Sequence, residues 1–216
     1  MSSFNEAVTA FRQGNIDKAL QIWTALAEAG DVRSQYNLGV LYDSGEGVNA
    51  NPYEAAMWYQ KAAEHGYADA QFNLSIMYAT GQGVPVDLQQ SLYWQHSAAK
   101  QGHADACFNL AKTLADGKDV MKDLDQAFFW YEKAADQGHV QAANNLAICY
   151  AMGYGVERND LQAYKWFNIA VELGDALAVR HRERVGMELG AEQIIEAGRQ
   201  SAQWLQAKGL KGEKPS

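Results

Sequence analysis

No stretch of the sequence approaches the roughly 18 consecutive apolar residues that a helix needs to cross a membrane, so no membrane span is expected. The start, MSSFNEAVTAFRQGN, lacks the basic patch and apolar run of a secretory leader, which points to the cytoplasm. Cysteine is scarce. Cys107 and Cys149 stand alone at unrelated positions, and such a pair reads as two small buried apolar residues rather than a disulfide framework. Basic residues are outnumbered: 18 Lys and Arg face 26 Asp and Glu, a net charge of −8. That balance argues against nucleic acid, because phosphate binding needs a surplus of Lys and Arg on one face. The deficit is confined to residues 1–174, with 11 basic and 20 acidic side chains; residues 175–216 hold 7 and 6. His-x-x-x-His and Cys-x-x-Cys spacings are also missing, so neither a metal nor a cofactor is expected. The apolar fraction of 48% is that of a folded protein rather than a disordered one.

What is present is a repeat. NLGVLYDSGEGV at 37–48 returns as NLSIMYATGQGV at 73–84 and NLAICYAMGYGV at 145–156, with the looser NLAKTLADGKDV at 109–120 between them. The step is 36 residues each time, the signature of a repeat architecture. Four full units follow: 31–66, 67–102, 103–138 and 139–174, each ending in glycine at Gly66, Gly102, Gly138 and Gly174. Leucine recurs at Leu38, Leu74, Leu110 and Leu146, tryptophan at Trp58, Trp94, Trp130 and Trp166, and alanine at Ala62, Ala98, Ala134 and Ala170. Within a unit the apolar spacing is helical: Ser34, Leu38, Leu41 and Tyr42 form one stripe, and Ala55, Trp58, Tyr59 and Ala62 another. Each unit is therefore a helix–loop–helix hairpin, and the tryptophan column belongs to its core. Gly39 holds a place otherwise filled by Ser75, Ala111 and Ala147, so a neighbouring helix is expected to cross there at close range.

The loop chemistry agrees. Gly45 and Gly47 of SGEGV permit the left-handed angles that end a helix, and Asp119 stands where another unit has its second glycine. Val48, Val84, Val120 and Val156 read as apolar plugs under the turn. Asn51, Asp87, Asp123 and Asn159 are each followed three residues later by Glu54, Gln90, Gln126 and Gln162, the pattern of a reciprocal capping box. The ends differ, as a repeat array requires. Residues 1–30 hold a shortened capping hairpin, 175–208 a divergent helical pair near 176–188 and 191–208, and 209–216 a flexible tail.

These columns (Asn-Leu-Gly, Tyr, Gly-x-Gly-Val, Asp, Ala, Trp-Tyr, Ala-Ala, Gly) resemble the Sel1-like repeat, a relative of the tetratricopeptide repeat, over residues 31–174. The resemblance implies an all-α, right-handed superhelix of about six antiparallel helix hairpins, with first helices lining a concave surface. It also implies a bacterial adaptor or scaffold that binds a protein or peptide partner rather than an enzyme.

Opposite the core stripe, the first helices place Tyr36, Phe72 and Phe108 beside Asn37, Asn73, Asn109 and Asn145. A carboxamide both donates and accepts, so the asparagine row suits the backbone of an extended peptide. The same row could equally bind the neighbouring repeat and set its pitch. Asp69, Asp105 and Asp116 would favour a basic partner. Other candidates are weaker. Ser97-Ala-Ala-Lys100 matches the Ser-x-x-Lys of penicillin-recognising enzymes, yet Ser-Asp-Asn and Lys-Thr-Gly are both missing. Ile194, Ile195, Trp204 and Leu205 form an apolar set through which the C-terminal helices could pair with a second copy.

Overall fold

The structure, a computed structural model, describes residues 3–118 and 120–210. The loop residue Asp119 and the KGEKPS tail lie outside the described residues. Among those described there are twelve helices and no strand, an all-α repeat fold. They group into two compact units that divide after His103.

The first unit holds α1 (Phe4–Arg12), α2 (Ile16–Glu28), α3 (Val32–Ser44), α4 (Pro52–Glu64), α5 (Ala68–Thr80) and α6 (Leu88–Lys100). The second holds α7 (Ala104–Asp116), α8 (Leu124–Ala135), α9 (Val140–Met152), α10 (Asp160–Glu172), α11 (Ala178–Gly186) and α12 (Ala191–Ala207). Consecutive helices pack on one another from α1 to α6 and from α7 to α11, and α12 packs against α10.

Small residues let the helices approach and large ones fill what is left. Ala55, Ala62, Leu38 and Leu74 are fully buried in the first unit, and Ala134, Ala163, Ala170 and Leu146 in the second. The tryptophan column is buried throughout. Gly39 is small because Tyr59 occupies the space: a Cβ there would lie 2.5 Å from the ring. Two buried glutamine amides are matched to helix ends. The Gln35 amide donates to the Ala27 carbonyl and the Gln71 amide to Ala63, each at 3.1 Å, which satisfies carbonyls in the last turns of α2 and α4. Cys107 and Ala143 occupy this place in the second unit and are fully buried.

In the loops that carry two glycines, the two do different jobs. The first ends its helix in left-handed geometry: Gly81 (φ 77°) donates to the Met77 carbonyl at 2.8 Å. The second faces the preceding hairpin. A Cβ on Gly83 would lie 2.0 Å from the Pro52 carbonyl oxygen, at the start of α4, and one on Gly155 2.0 Å from that of Leu124. The second glycine is thus where one repeat presses its backbone on the last.

The expected capping box forms by half. Asn51, Asp87, Asp123 and Asn159 accept the N–H three residues ahead, as predicted. Their own N–H groups, however, donate not to Glu54, Gln90, Gln126 or Gln162 but to carbonyls of the first helix: Tyr42, Tyr78, Leu114 and Tyr150, at 2.8–3.0 Å. Those bonds staple the loop to its own hairpin and leave the Glu and Gln side chains exposed or free for other contacts, such as Gln162 with Gln200.

The ends also differ in detail from expectation. Of the apolar set on α12, Leu205 is buried and Trp204 packs edge-on against Trp166 with its indole N–H on Asp136. Only Ile195 is well exposed, so the helix spends most of its apolar surface on its own unit. Leu210 donates its N–H to the Leu205 carbonyl at 2.9 Å and is half-buried near Gly138.

Candidate functional site

The aromatic residues of the first helices meet the residue that opens the next repeat. In the first unit Tyr36 lies 4.9 Å from Tyr67, and Phe72 stacks on His103 at 4.6 Å. In the second, Phe108 stacks on His139 at 4.4 Å. The acidic residues one turn earlier join the same contacts. Asp69 lies 3.5 Å from His103 Nε2, and Asp105 3.3 Å from His139 Nε2. Asp116 is exposed at the end of α7. Tyr36, Phe72 and Phe108 are therefore each half-buried.

The asparagines divide by surroundings. Asn73 hydrogen-bonds with the phenols of Tyr36 and Tyr59, and Tyr59 also donates to Asp43. Asn145 hydrogen-bonds with Tyr131. Burial raises the pKa of all three tyrosines, that of Tyr131 to about 12, so the phenols stay neutral donor–acceptor links. Asn37 and Asn109 are half-buried. Asn144, in the same stripe as Asn145, faces His181 at 3.3 Å.

Of these side chains, Phe108, His139, Asn144 and Asn145 line a groove of about 790 Å³ in the second unit. Phe108 and His139 form one wall, Gln141, Asn144 and Asn145 supply carboxamides, and the loop from Gly174 to Leu177 forms the other wall. Leu177 is 72% exposed and so available to an apolar ligand group. Sequence reasoning placed the aromatics and asparagines on one face but missed the histidines as their stacking partners. The signal was present in the shared repeat position of His103 and His139, 36 residues apart.

His139 also caps a helix. Its Nδ1 accepts the Ala142 N–H at 3.1 Å, which leaves the ring proton on Nε2, toward Asp105. Burial lowers its pKa, against the opposing pull of Asp105. A histidine harder to protonate when folded than when unfolded contributes full stability above its unfolded value of about 6.5. That contribution is lost as the pH falls from there toward the lower folded value. His96, lowered by burial and by Lys100, acts in the same direction. In His139→Asn, which keeps a capping acceptor but no titration, the loss of melting temperature between pH 7.5 and pH 5 should shrink. Equal losses in the variant and the parent would contradict this role.

The Ser97 hydroxyl donates to the Tyr93 carbonyl one turn back, as an ordinary helical serine does. Burial pushes the Cys107 and Cys149 thiols up to about 11, away from the reactive thiolate. No group of three or more metal-ligating side chains occurs among the described residues. No helix among them is long and apolar enough to cross a membrane.

A hairpin array with this loop and this core defines a class of helical repeat proteins. The Sel1 repeat matches residues 32–67, 68–103, 104–139 and 140–175, so the chain belongs to the Sel1 repeat family. One similar solved structure is a protective antigen of uropathogenic Escherichia coli strains with an SLR fold. It is 34% identical with a TM-score of 0.79, over 99% of this chain and 49% of that one. The chain thus spans about half the length of that relative. A Sel1 repeat protein from Oxalobacter formigenes is 26% identical with a TM-score of 0.80, over 98% of this chain and 86% of the other. No curated protein matches the sequence significantly. Sel1 repeat proteins are generally non-catalytic scaffolds for protein interactions, so the family suggests protein partners.

Proposed function

We propose that the chain is a non-enzymatic adaptor that receives a peptide segment or a partner domain on the face built by its first helices. The observation that carries this reading is the carboxamide-lined groove of the second unit, with Gln141, Asn144 and Asn145 beside the Phe108–His139 stack. Carboxamides pair with the N–H and C=O of an extended backbone, and the stacked rings and Leu177 receive apolar side chains. Asn37, Asn73 and Asn109, with Tyr36, Phe72, Asp69, Asp105 and Asp116, complete the proposed binding residues. Asn73 and Asn145 hold phenols as well, so they would serve packing and recognition together. Asp69 and Asp105 are each drawn toward a histidine, which leaves Asp116 as the more available acidic contact for a basic residue.

The test separates the two uses. In Gln141→Ala/Asn144→Ala, capture of a partner from native lysate should fall by about tenfold or more at unchanged melting temperature, because two peptide hydrogen bonds are lost. In Asn73→Ala the melting temperature should fall too, because a half-buried phenol network loses its donor. Undiminished capture by both variants would move the interaction off this face.

A further inference from the structure

Three joints between repeats follow one rule, in which the ring on a first helix meets the ring that opens the next repeat. The pairs are Tyr36 and Tyr67, Phe72 and His103, and Phe108 and His139. In the last two an aspartate, Asp69 or Asp105, lies against the histidine. One period of 36 residues further on, the places of Asp105, Phe108 and His139 are taken by Gln141, Asn144 and Asp175. Both rings are gone from this joint. The groove of about 790 Å³ lies there, lined by all three replacements, with Phe108 and His139 of the preceding joint as its flat wall.

The polar groups there are mostly acceptors, and the charge is negative. Asp175 Oδ1 accepts the N–H of Leu177 at 2.9 Å and of Ala178 at 3.4 Å, while Oδ2 has no partner among the described residues. Gln141 and Asn144 each add a carboxamide oxygen. Burial favours neutral His139, which leaves Asp175 as the charged group among the described lining residues. Asp105 lies behind His139, 3.3 Å away. The basic groups of α11 are placed elsewhere. Arg182 donates to Asn168 at 2.7 Å, and Arg184 lines a separate groove with Asp160 and Glu188. Arg180 is exposed outside the lining, and His181 reaches it only through Asn144, at 3.3 Å. The starts of α9 and α11 both border the groove, but His139 Nδ1 caps the first and Asp175 Oδ1 the second. A carboxylate ligand would therefore meet Asp175 with both caps already taken.

We propose that this groove is an arginine pocket, and that Asp175 sets its specificity. The partner's guanidinium lies against the Phe108 and His139 rings and donates to Asp175 Oδ2 and to the carboxamide oxygens of Gln141 and Asn144. Its aliphatic stem rests on Leu177, which is 72% exposed. Arginine fits better than lysine because its guanidinium is planar, stacks on rings and spreads its donors over several acceptors. The proposal rests on the reading of the chain as a scaffold that binds a peptide or partner domain on this face. It adds the chemistry of the side chain received and a residue that selects it.

The probe is N-acetyl-arginine-N-methylamide, titrated into the ¹⁵N-labelled full chain and followed by NMR. Its citrulline counterpart, of the same shape without the charge, and its glutamate counterpart are the controls. The side-chain amide signals of Gln141 and Asn144, identified by their loss in Gln141→Ala and Asn144→Ala, should shift and saturate with arginine. Citrulline should bind about tenfold more weakly, the share of one charge-assisted hydrogen bond. Asp175→Asn keeps an acceptor for the start of α11, so its melting temperature should hold. In that variant the preference for arginine over citrulline should disappear, which a merely structural Asp175 would not cause. No saturable shift with arginine, equal binding of citrulline, tighter binding of glutamate, or an unchanged preference in Asp175→Asn would each overturn the pocket. If one of these occurs while Gln141→Ala/Asn144→Ala still loses partner capture, the arginine assignment falls and the adaptor reading stands. Arginine selectivity lost in Asp175→Asn, with undiminished capture by the double variant, would support the pocket and move the main interaction off this face.

Discussion

Gly83→Ala is expected to destabilise the protein by about 2–5 kcal/mol. The left-handed angle (φ 69°) accounts for about 1–2 kcal/mol of that for any Cβ-bearing residue. The remainder comes from overpacking, typically about 1–3 kcal/mol, because the new Cβ would sit 2.0 Å from the backbone oxygen of Pro52. Backbone at a helix start has little room to retreat. Gly66→Ala is the matched comparison: it has a similar φ of 84° but no heavy atom within 4 Å of the added Cβ, so only the conformational share applies. Urea unfolding of the two variants should show Gly83→Ala as clearly the worse. Equal losses would mean that the loop does not press on the preceding hairpin.

Leu74→Ala carries the other large effect. Leu74 is fully buried among Ala55, Tyr59, Ala70 and Met77. Truncation there should cost about 2–5 kcal/mol, the sum of lost transfer energy and a cavity that close-packed helices fill only partly. Ile76, two residues on and 38% exposed, serves as its control, and Ile76→Ala should cost well under half as much. Similar denaturation midpoints for the two variants would show that the leucine column is not the buried seam of the hairpin.

Much of this architecture could be read from residue identity, because each column answers to a local rule. The αL glycines, the Asn and Asp caps and the alternation of small and large apolar residues declare themselves one residue at a time. What stayed hidden depends on two elements at once. Gly83 looks like a second helix terminator until Pro52 is placed against it. The N–H of Asp87 looks destined for Gln90 until the Tyr78 carbonyl arrives 2.9 Å away. The binding face behaved the same way. Tyr36, Phe72 and the asparagines share a stripe by helical period alone, but His103 and His139 become part of it only through the join to the next repeat. Trp23 stands where other repeats have Tyr59 and Tyr131, and its buried indole N–H is left without an acceptor among the described residues.

The claim that a partner lies on the first-helix face is tested most directly by hydrogen–deuterium exchange on the complex with whatever protein the chain captures. The second unit offers the sharpest contrast, since α7 and α9 carry Phe108, Asn144 and Asn145 while neither α8 nor α10 lines the groove. Slower exchange in residues 104–116 and 140–152, with 124–135 and 160–172 unchanged, is the result expected. Protection of 124–135 and 160–172 alone would contradict the assignment and place the partner on the opposite side of the hairpins.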